Sequence, residues 1–102
     1  MIEVHENVEL SRFEICVDSV LAGFTHYEVS SDHWLFDHTE VDPQFEGQGL
    51  ASQLIEQTLD LMRDRDISVY PYCPFIRTFI KRHPDYLDLV PLEVREKFGL
   101  PS

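Results

Sequence analysis

Two glycines, Gly47 and Gly49, stand between a turn marked by Pro43 and an apolar periodic segment that begins at Leu50. Glycine adopts backbone conformations, and permits close approaches, that a Cβ atom would obstruct. A loop of this kind at the start of a helix presents unpaired N–H groups at the positive end of the helix dipole. The spacing therefore predicts an anion site that would hold the phosphates of a cofactor beside the end of the preceding strand.

Two common nucleotide-binding motifs do not fit this loop. A P-loop requires a lysine after its second glycine, and none is present here. A dinucleotide fingerprint would read Gly47-x-Gly49-x-x-Ser52 and would lack its third glycine. It would also lack the acidic residue that binds the ribose, because the next predicted strand ends in Tyr70-Pro71-Tyr72.

One of the two cysteines, Cys73, stands immediately before Pro74, the expected first residue of a helix. Helix N-termini favour thiolates, and Arg77 one turn later adds a positive charge. Cys73 is therefore either a reactive thiol or a small buried apolar residue, as cysteine often is. Cys16 has no such neighbours, and we expect both cysteines to be free thiols.

His38 and Glu40 are two residues apart on a predicted strand, so their side chains face the same side of the sheet. They could form a general base that acts directly or through water, or they could belong to a solvated strand face. A metal site made of these two residues and His33 would lack a further well-spaced ligand, so we predict no metal. We interpret His5 and His26 as structural or surface residues.

The alternation of apolar and polar residues and the turn signals predict an α/β fold. We expect residues 1–7 to be an irregular lead-in. The predicted strands are Val8–Val17, Val20–Val29, Trp34–Val41 and Ile67–Tyr72. The first three should form an antiparallel meander. A helix over Gly47–Arg63 then connects the third strand to a parallel fourth strand, through a right-handed crossover.

A second helix is predicted to begin at Pro74 and to stop before His83-Pro84. A short helical piece follows around Leu92–Phe98. Both main helices have an apolar face that would pack in the core. On the first helix this face comprises Leu50, Ala51, Leu54, Ile55, Thr58, Leu61 and Met62, and on the second Phe75, Ile76, Phe79 and Ile80.

The chain has 102 residues, which suits one domain over residues 1–102, and its net charge is −11. Residues 1–60 carry 13 of the 19 acidic side chains and one of the 8 basic ones. Such a charge disfavours nucleic acid and is compatible with cationic ligands. No apolar run is long enough to span a bilayer, and the first residues do not form a signal peptide. We therefore expect a soluble cytoplasmic protein that does not associate with membranes.

The segment Glu46–Ala51 resembles the Arg/Gln-x-x-Gly-x-Gly/Ala pyrophosphate-binding motif of the GNAT N-acetyltransferases. Together with His38–Val41, Tyr72–Phe75 and Arg82–Tyr86, it resembles the small subfamily of that superfamily, over about residues 8–90. The resemblance implies a GNAT-like mixed sheet, in which the meander is followed by a strand–helix–strand unit and a second helix. It also implies an acetyl-coenzyme A-dependent enzyme that acetylates an amine of a small molecule or protein, which the acidic charge suggests is cationic.

The resemblance also implies where the cofactor binds. Its pyrophosphate would lie on the N–H groups of Gly47 to Ala51, and its pantetheine in a split between the strands that end near Val41 and Tyr72. The expected cofactor-binding residues are Val41, Gly47, Gln48, Gly49, Leu50, Ala51 and Ser52. The cations Arg77, Lys81 and Arg82 either meet the 3′-phosphate or form a solvated face.

This sequence departs from the family pattern at two places. Glu46 stands where Arg or Gln is usual, and its carboxylate should point away from the phosphates. The two helices that larger members place after their first strand are also absent, which leaves the class of acceptor open.

The resemblance implies a tyrosine on the second helix that protonates the leaving thiolate, as larger members often have, but the predicted core residues of this helix include no hydroxyl group. Cys73 could take that role or could carry the acetyl group, with Tyr72 as a further candidate. We therefore predict Cys73, His38 and Glu40 as catalytic residues. The alternatives are a non-catalytic acyl-coenzyme A-binding protein and a cysteine-based acyl carrier.

Overall fold

The computed structural model describes residues 1–102, which form one five-stranded sheet with helices. The strands are β1 (Ile2–Asn7), β2 (Arg12–Val17), β3 (Val20–Val29), β4 (His33–Val41) and β5 (Ser68–Pro71). They lie in the order β1-β2-β3-β4-β5; the first four pair antiparallel, and β5 pairs parallel to β4. The predicted α/β class, with its meander and its strand–helix–strand unit, is confirmed.

Three α-helices follow β4, and each starts near the position that the sequence predicts. They are α1 (Leu50–Asp64), α2 (Pro74–Arg82) and α3 (Leu92–Arg95). Gly49 is the N-cap of α1 and Cys73 is the N-cap of α2. Three short 3₁₀ segments complete the chain: Pro43–Phe45, Pro84–Leu89 and Glu96–Phe98. None of these helices is long and apolar enough to cross a membrane.

The N-terminal segment is a strand, so our prediction of an irregular lead-in over residues 1–7 is wrong. β1 pairs with β2 from Ile2↔Val17 to Asn7↔Arg12, and the predicted strand start at Val8 is a turn instead. The charged residues of β1 obscure the alternation of apolar and polar side chains that would predict a strand. An edge strand can carry such residues because it needs no buried face of its own. Main-chain pairing with β2 holds the strand instead.

The core consists of residues from α1, α2, one face of the sheet and the segment that follows α2, which form a single cluster. The fully buried members include Phe13, Ile15, Phe36, Leu54, Ile55, Leu59, Met62, Ile76 and Ile80. Burial of each such side chain contributes roughly 1.5–3 kcal/mol before the loss of conformational entropy is counted. Leu59 is buried although the predicted apolar face omits it, and Leu61 is only half-buried.

Two buried tyrosines bond to carboxylates that lie far from them in sequence. The Tyr27 hydroxyl donates to Glu6 at 2.5 Å and so links β3 to the edge strand β1. The Tyr86 hydroxyl donates to Asp60 of α1 at 2.7 Å. Burial, together with these hydrogen bonds to carboxylates, raises the pKa of Tyr27 and of Tyr86 to about 12.

These two tyrosines predict a loss of stability in alkaline solution. A folded-state pKa above the ordinary value of 10.0 contributes stability below pH 10, and this contribution disappears as the pH rises through about 12. We expect the free energy of unfolding to fall over this interval. An absorbance titration should show two tyrosines that ionise near pH 12. The variants Tyr27→Phe and Tyr86→Phe should each remove one of them. Ionisation of both groups near pH 10 would contradict the two buried hydrogen bonds.

Candidate functional site

The glycine loop before α1 requires a backbone that other residues rarely adopt. Gly47 has a φ of 81° and Gly49 a φ of 72°, both in the left-handed region. A Cβ atom added to either residue would meet nothing within 4 Å, so neighbouring atoms do not exclude a side chain here. The positive φ angles explain the glycines, and the open space is where a ligand could approach the main chain.

The main-chain N–H groups of residues 47–52 donate no hydrogen bond within the chain. The first helical bond of α1 runs from the Gln53 N–H to the Gly49 carbonyl, at 3.2 Å. The free N–H groups lie at the positive end of the α1 dipole, because they precede and open this helix of 15 residues. This arrangement can bind a phosphate or another anion.

A cleft of about 270 Å³ lies against the glycine loop. Its lining residues are Val41, Phe45, Glu46, Gly47, Gly49, Leu50, Ala51, Ser52 and Phe75. A second cleft, of about 320 Å³, is lined by Ser52, Pro74, Phe75, Thr78, Phe79, Arg82 and His83. Because the two clefts share Ser52 and Phe75, they adjoin, and we call them together the α1–α2 groove.

Phe75 is 41% exposed, so our prediction that it belongs to the core face of α2 is wrong. Ile76, Phe79 and Ile80 are buried as predicted. Phe75 lies in the first turn of α2 and lines the α1–α2 groove beside Ser52. Its aromatic ring is therefore accessible from the α1–α2 groove.

Of the three cations that could either meet the 3′-phosphate or form a solvated face, only Arg82 lines the α1–α2 groove. Lys81 extends elsewhere, since its Nζ lies 3.6 Å from the place where a Cβ on Gly99 would stand. Arg77 is half-buried and does not line the groove. His83, which the sequence analysis did not single out, lies beside Arg82.

The parallel pairing of β4 with β5 ends before β4 does, because β5 is the shorter strand. Their register ends at Phe36↔Pro71, and the Cys73 N–H donates to the Phe36 carbonyl at 2.8 Å. β4 then continues to Val41 with no partner residue on β5. The expected split would lie along this unpaired edge of β4, and Val41 at the end of the edge also lines the cleft at the glycine loop.

A β-bulge at Asp37 sets which side chains face each side of the split. Phe36 pairs with Tyr27 and His38 pairs with His26, so Asp37 has no partner on β3. Asp37 instead bonds to the His26 ring at 2.7 Å. Beyond the bulge the side chains alternate again, which places His38 and Glu40 on the face opposite to Thr39.

Cys73 is buried, with 4% exposure, and its thiol donates to the Thr39 hydroxyl at 3.3 Å. The Thr39 hydroxyl also lies 2.9 Å from that of Thr25, which is fully buried. The contact between Cys73 and Thr39 joins the unpaired end of β4 to the N-cap of α2. Neither threonine is among the predicted site residues, although the position of Thr39 between His38 and Glu40 indicates that it faces the core.

His38 and Glu40 are brought together as predicted, with 3.1 Å between Nε2 and Oε1. Both side chains are exposed, and the His38 ring centroid lies 5.9 Å from that of Phe24. His33 is at the other end of β4, where it stacks on Tyr70. No group of three or more His, Cys, Asp or Glu side chains is arranged to hold a metal ion.

The remaining candidates have partners of their own. The Tyr72 hydroxyl accepts a hydrogen bond from Lys97 at 2.7 Å, and its ring meets that of Phe98 edge-on. His5 bonds to Glu14 at 2.9 Å. Burial opposes the ionisation of Glu14, but hydrogen bonds from Arg12, Asn7 and His5 outweigh it and lower the pKa of this carboxyl.

Glu46 is exposed, forms no ion pair and is among the residues that line the cleft at the glycine loop. Its carboxylate has the same charge sign as a phosphate, so the N–H groups of residues 47–52 must supply the attraction for an anion here.

A family model described as GCN5-related N-acetyl-transferase matches residues 12–89. The chain belongs to the GCN5-related N-acetyltransferase family. It is 34% identical over 47 residues to the protein NATD1 of Bos taurus, a match that covers 46% of this chain and 42% of that protein. The match thus spans less than half the length of this relative.

Solved structures show the same fold. A GCN5-like protein from Staphylococcus aureus, solved by NMR, has a TM-score of 0.66 at 20% identity and matches over 87% of each chain. N-acetylglutamate synthase from Neisseria gonorrhoeae, in complex with coenzyme A and N-acetyl-glutamate, has a TM-score of 0.52 at 20% identity. That match covers 69% of this chain and 19% of the synthase. These likenesses establish the GNAT-like fold.

The glycine loop predicts a specific difference between two alanine variants. Gly49 and Gly99 have nearly the same backbone, with φ of 72° and 70°, and each caps a helical segment. Alanine at either position costs about 1 kcal/mol of stability because its Cβ is strained in the left-handed region. Only Gly49→Ala also places a methyl group in the open space beside the glycine loop, where a ligand would approach the main chain.

We expect Gly49→Ala to weaken binding of acetyl-coenzyme A at least about tenfold, which is about 1.4 kcal/mol, while Gly99→Ala leaves it unchanged. Calorimetric titration measures the affinity, and thermal unfolding verifies that both variants lose similar stability. Equal affinities in the two variants would contradict a phosphate site at this loop.

Proposed function

We propose that this chain binds acetyl-coenzyme A at the start of α1 and transfers the acetyl group to an amine. The observation that carries the proposal is the row of N–H groups over residues 47–52, which have no partner in the chain and open onto the α1–α2 groove. Membership of the GCN5-related family supports the reaction type. A neighbour in fold that contains coenzyme A supports the choice of cofactor.

In this proposal the N–H groups of residues 47–52 hold the pyrophosphate. The unpaired edge of β4 up to Val41 would hold the pantetheine. Arg82 receives the phosphate at the nucleotide end, because it lines the same groove as Ser52. Bound acetyl-coenzyme A supplies an acetyl thioester whose carbonyl carbon accepts the amine.

His38 and Glu40 form the proposed general base. An alkyl ammonium group keeps its proton at neutral pH, so it must lose that proton before its nitrogen can attack. His38 accepts this proton, directly or through one water, and the ion pair with Glu40 stabilises the charged ring. These two side chains border the part of β4 that β5 leaves unpaired.

Cys73 is the proposed proton donor for the departing sulfur. The nitrogen–carbon bond forms, the carbon–sulfur bond breaks, and the sulfur takes the proton of the Cys73 thiol. The second nitrogen proton then restores the thiol, and His38 releases the first proton to solvent. The hydrogen bond to Thr39 keeps the thiol on the β4 side of the split until that step.

The proposal predicts that His38→Gln and Glu40→Gln each lower kcat for amine acetylation about a hundredfold, without altering the affinity for acetyl-coenzyme A. His5→Gln is a matched control, because His5 also pairs with a glutamate but lies on the edge strand β1. The measurement is release of free thiol with a panel of primary amines. Equal losses in His38→Gln and His5→Gln would contradict the assigned base.

The same assay, combined with intact mass, separates the two competing functions. Saturable binding of acetyl-coenzyme A with no amine turnover would identify a non-catalytic acyl-coenzyme A-binding protein. Gain of one acetyl group on Cys73 would identify an acyl carrier, and unchanged turnover in Cys73→Ala would remove its role as proton donor.

A further inference from the structure

A third cleft lies where β3 begins and β4 ends. Its volume is about 440 Å³, and it shares Val41 with the cleft at the glycine loop. Its lining residues are Leu21, Ala22, Gly23, Phe24, Glu40, Val41, Asp42 and Pro43. The cleft therefore adjoins the proposed cofactor groove and contains one member of the proposed base pair, Glu40. Neither the cofactor site nor the core uses this space.

The lining of this cleft combines apolar surface with two carboxylates. Leu21, Phe24 and Val41 supply apolar surface, and the side chain of Leu21 is 42% exposed. Asp42 accepts a hydrogen bond from the Gln44 N–H at 2.9 Å but forms no ion pair. Glu40 pairs only with His38.

The cleft contains no basic lining residue. The nearby guanidinium of Arg12 lies 4.4 Å from the centroid of the Phe24 ring, but Glu14 holds it at 2.7 Å. A cationic ligand would therefore encounter the uncompensated charge of Asp42 on a wall that also offers contact for methylene groups. The volume lies within the range of about 300–1,000 Å³ that is usual for small-molecule sites.

We propose that this cleft binds the acceptor and that the acceptor is a small aliphatic diamine; this inference rests on the proposed function. One amine lies beside His38 and Glu40, where it loses its proton. The second, still an ammonium group, pairs with Asp42. Alternate residues of a strand lie roughly 6–7 Å apart, a distance that a chain of about four carbons spans. The methylene groups then pack on Leu21 and Phe24.

The pairing with Asp42 predicts a preference between two amines of equal chain length. The unmodified protein should acetylate 1,4-diaminobutane with a kcat/KM at least about tenfold above that of butylamine, because only the diamine carries a second cation. Asp42→Asn keeps an acceptor for the Gln44 N–H and removes the charge, so it should abolish this preference. The KM for acetyl-coenzyme A should not change.

A filled cleft provides the second test. Leu21→Trp places a large ring in the cleft and should raise the KM for the diamine at least about tenfold. Val20→Trp is the matched control, because Val20 is 55% exposed on the same strand and does not line the cleft. Equal effects of the two tryptophan variants, or the same preference in Asp42→Asn, would overturn the inference.

Binding of 1,4-diaminobutane in the absence of turnover separates this inference from the proposed function. Saturable amide shifts at Leu21–Phe24 and Glu40–Asp42, lost in Leu21→Trp, would support the diamine site even if no thiol were released. Absence of both turnover and acetyl-coenzyme A binding would defeat the proposed function alone. Diamine shifts that arise elsewhere, or displacement of the diamine from this cleft by acetyl-coenzyme A, would overturn the inference.

Discussion

The left-handed backbone at Gly47 and Gly49 is the constraint on which the candidate site depends. It directs the chain from the end of β4 into α1 in such a way that the N–H groups of residues 47–52 remain without partners. Exposed polar groups of this kind cost little in water, but they are available to an anion at once. The sheet contributes the second requirement, since β5 ends at Pro71 while β4 continues to Val41, which lines the cleft at this loop.

Electrostatics act on this site at two ranges. The net charge of −11 repels a polyanionic cofactor at long range, and salt screens this repulsion over about 8 Å at physiological ionic strength. At contact distance the oriented N–H dipoles and Arg82 oppose it. The same acidity would favour the cationic acceptor proposed above, so one charge distribution would repel the proposed cofactor at a distance and attract the proposed second substrate. At the glycine loop an anion would meet main-chain N–H donors and no basic side chain, so the attraction acts only at short range.

The parts of the fold that could be predicted from sequence are those that local interactions determine. Cys73 before a proline marks the start of α2 correctly, and the glycines place the start of α1 within three residues, since the helix begins at Leu50 and not at Gly47. The strand β1 escaped prediction because its stability comes from pairing with β2 and not from a buried face. The prediction for Phe75 is wrong because helical periodicity shows which residues share a face but not what that face contacts. At Phe75 the face of α2 borders a groove and not the core.

The candidate site was predictable where it is one continuous segment and less so where it crosses the sheet. The loop over residues 47–52 could be identified from its glycines. The contact of Cys73 with Thr39 depends on where two strands part, and the cleft at Leu21 depends on how β3 meets the end of β4. Neither relation has a signature in the spacing of residues, because each joins positions that are distant along the chain.

Backbone amide NMR during titration with acetyl-coenzyme A tests the central claim most directly. The account predicts that the amide signals of residues 47–52 shift most, in a saturable manner, because these N–H groups exchange water for phosphate oxygens. Saturable binding that leaves these signals unmoved, or the absence of any saturable shift, would contradict it.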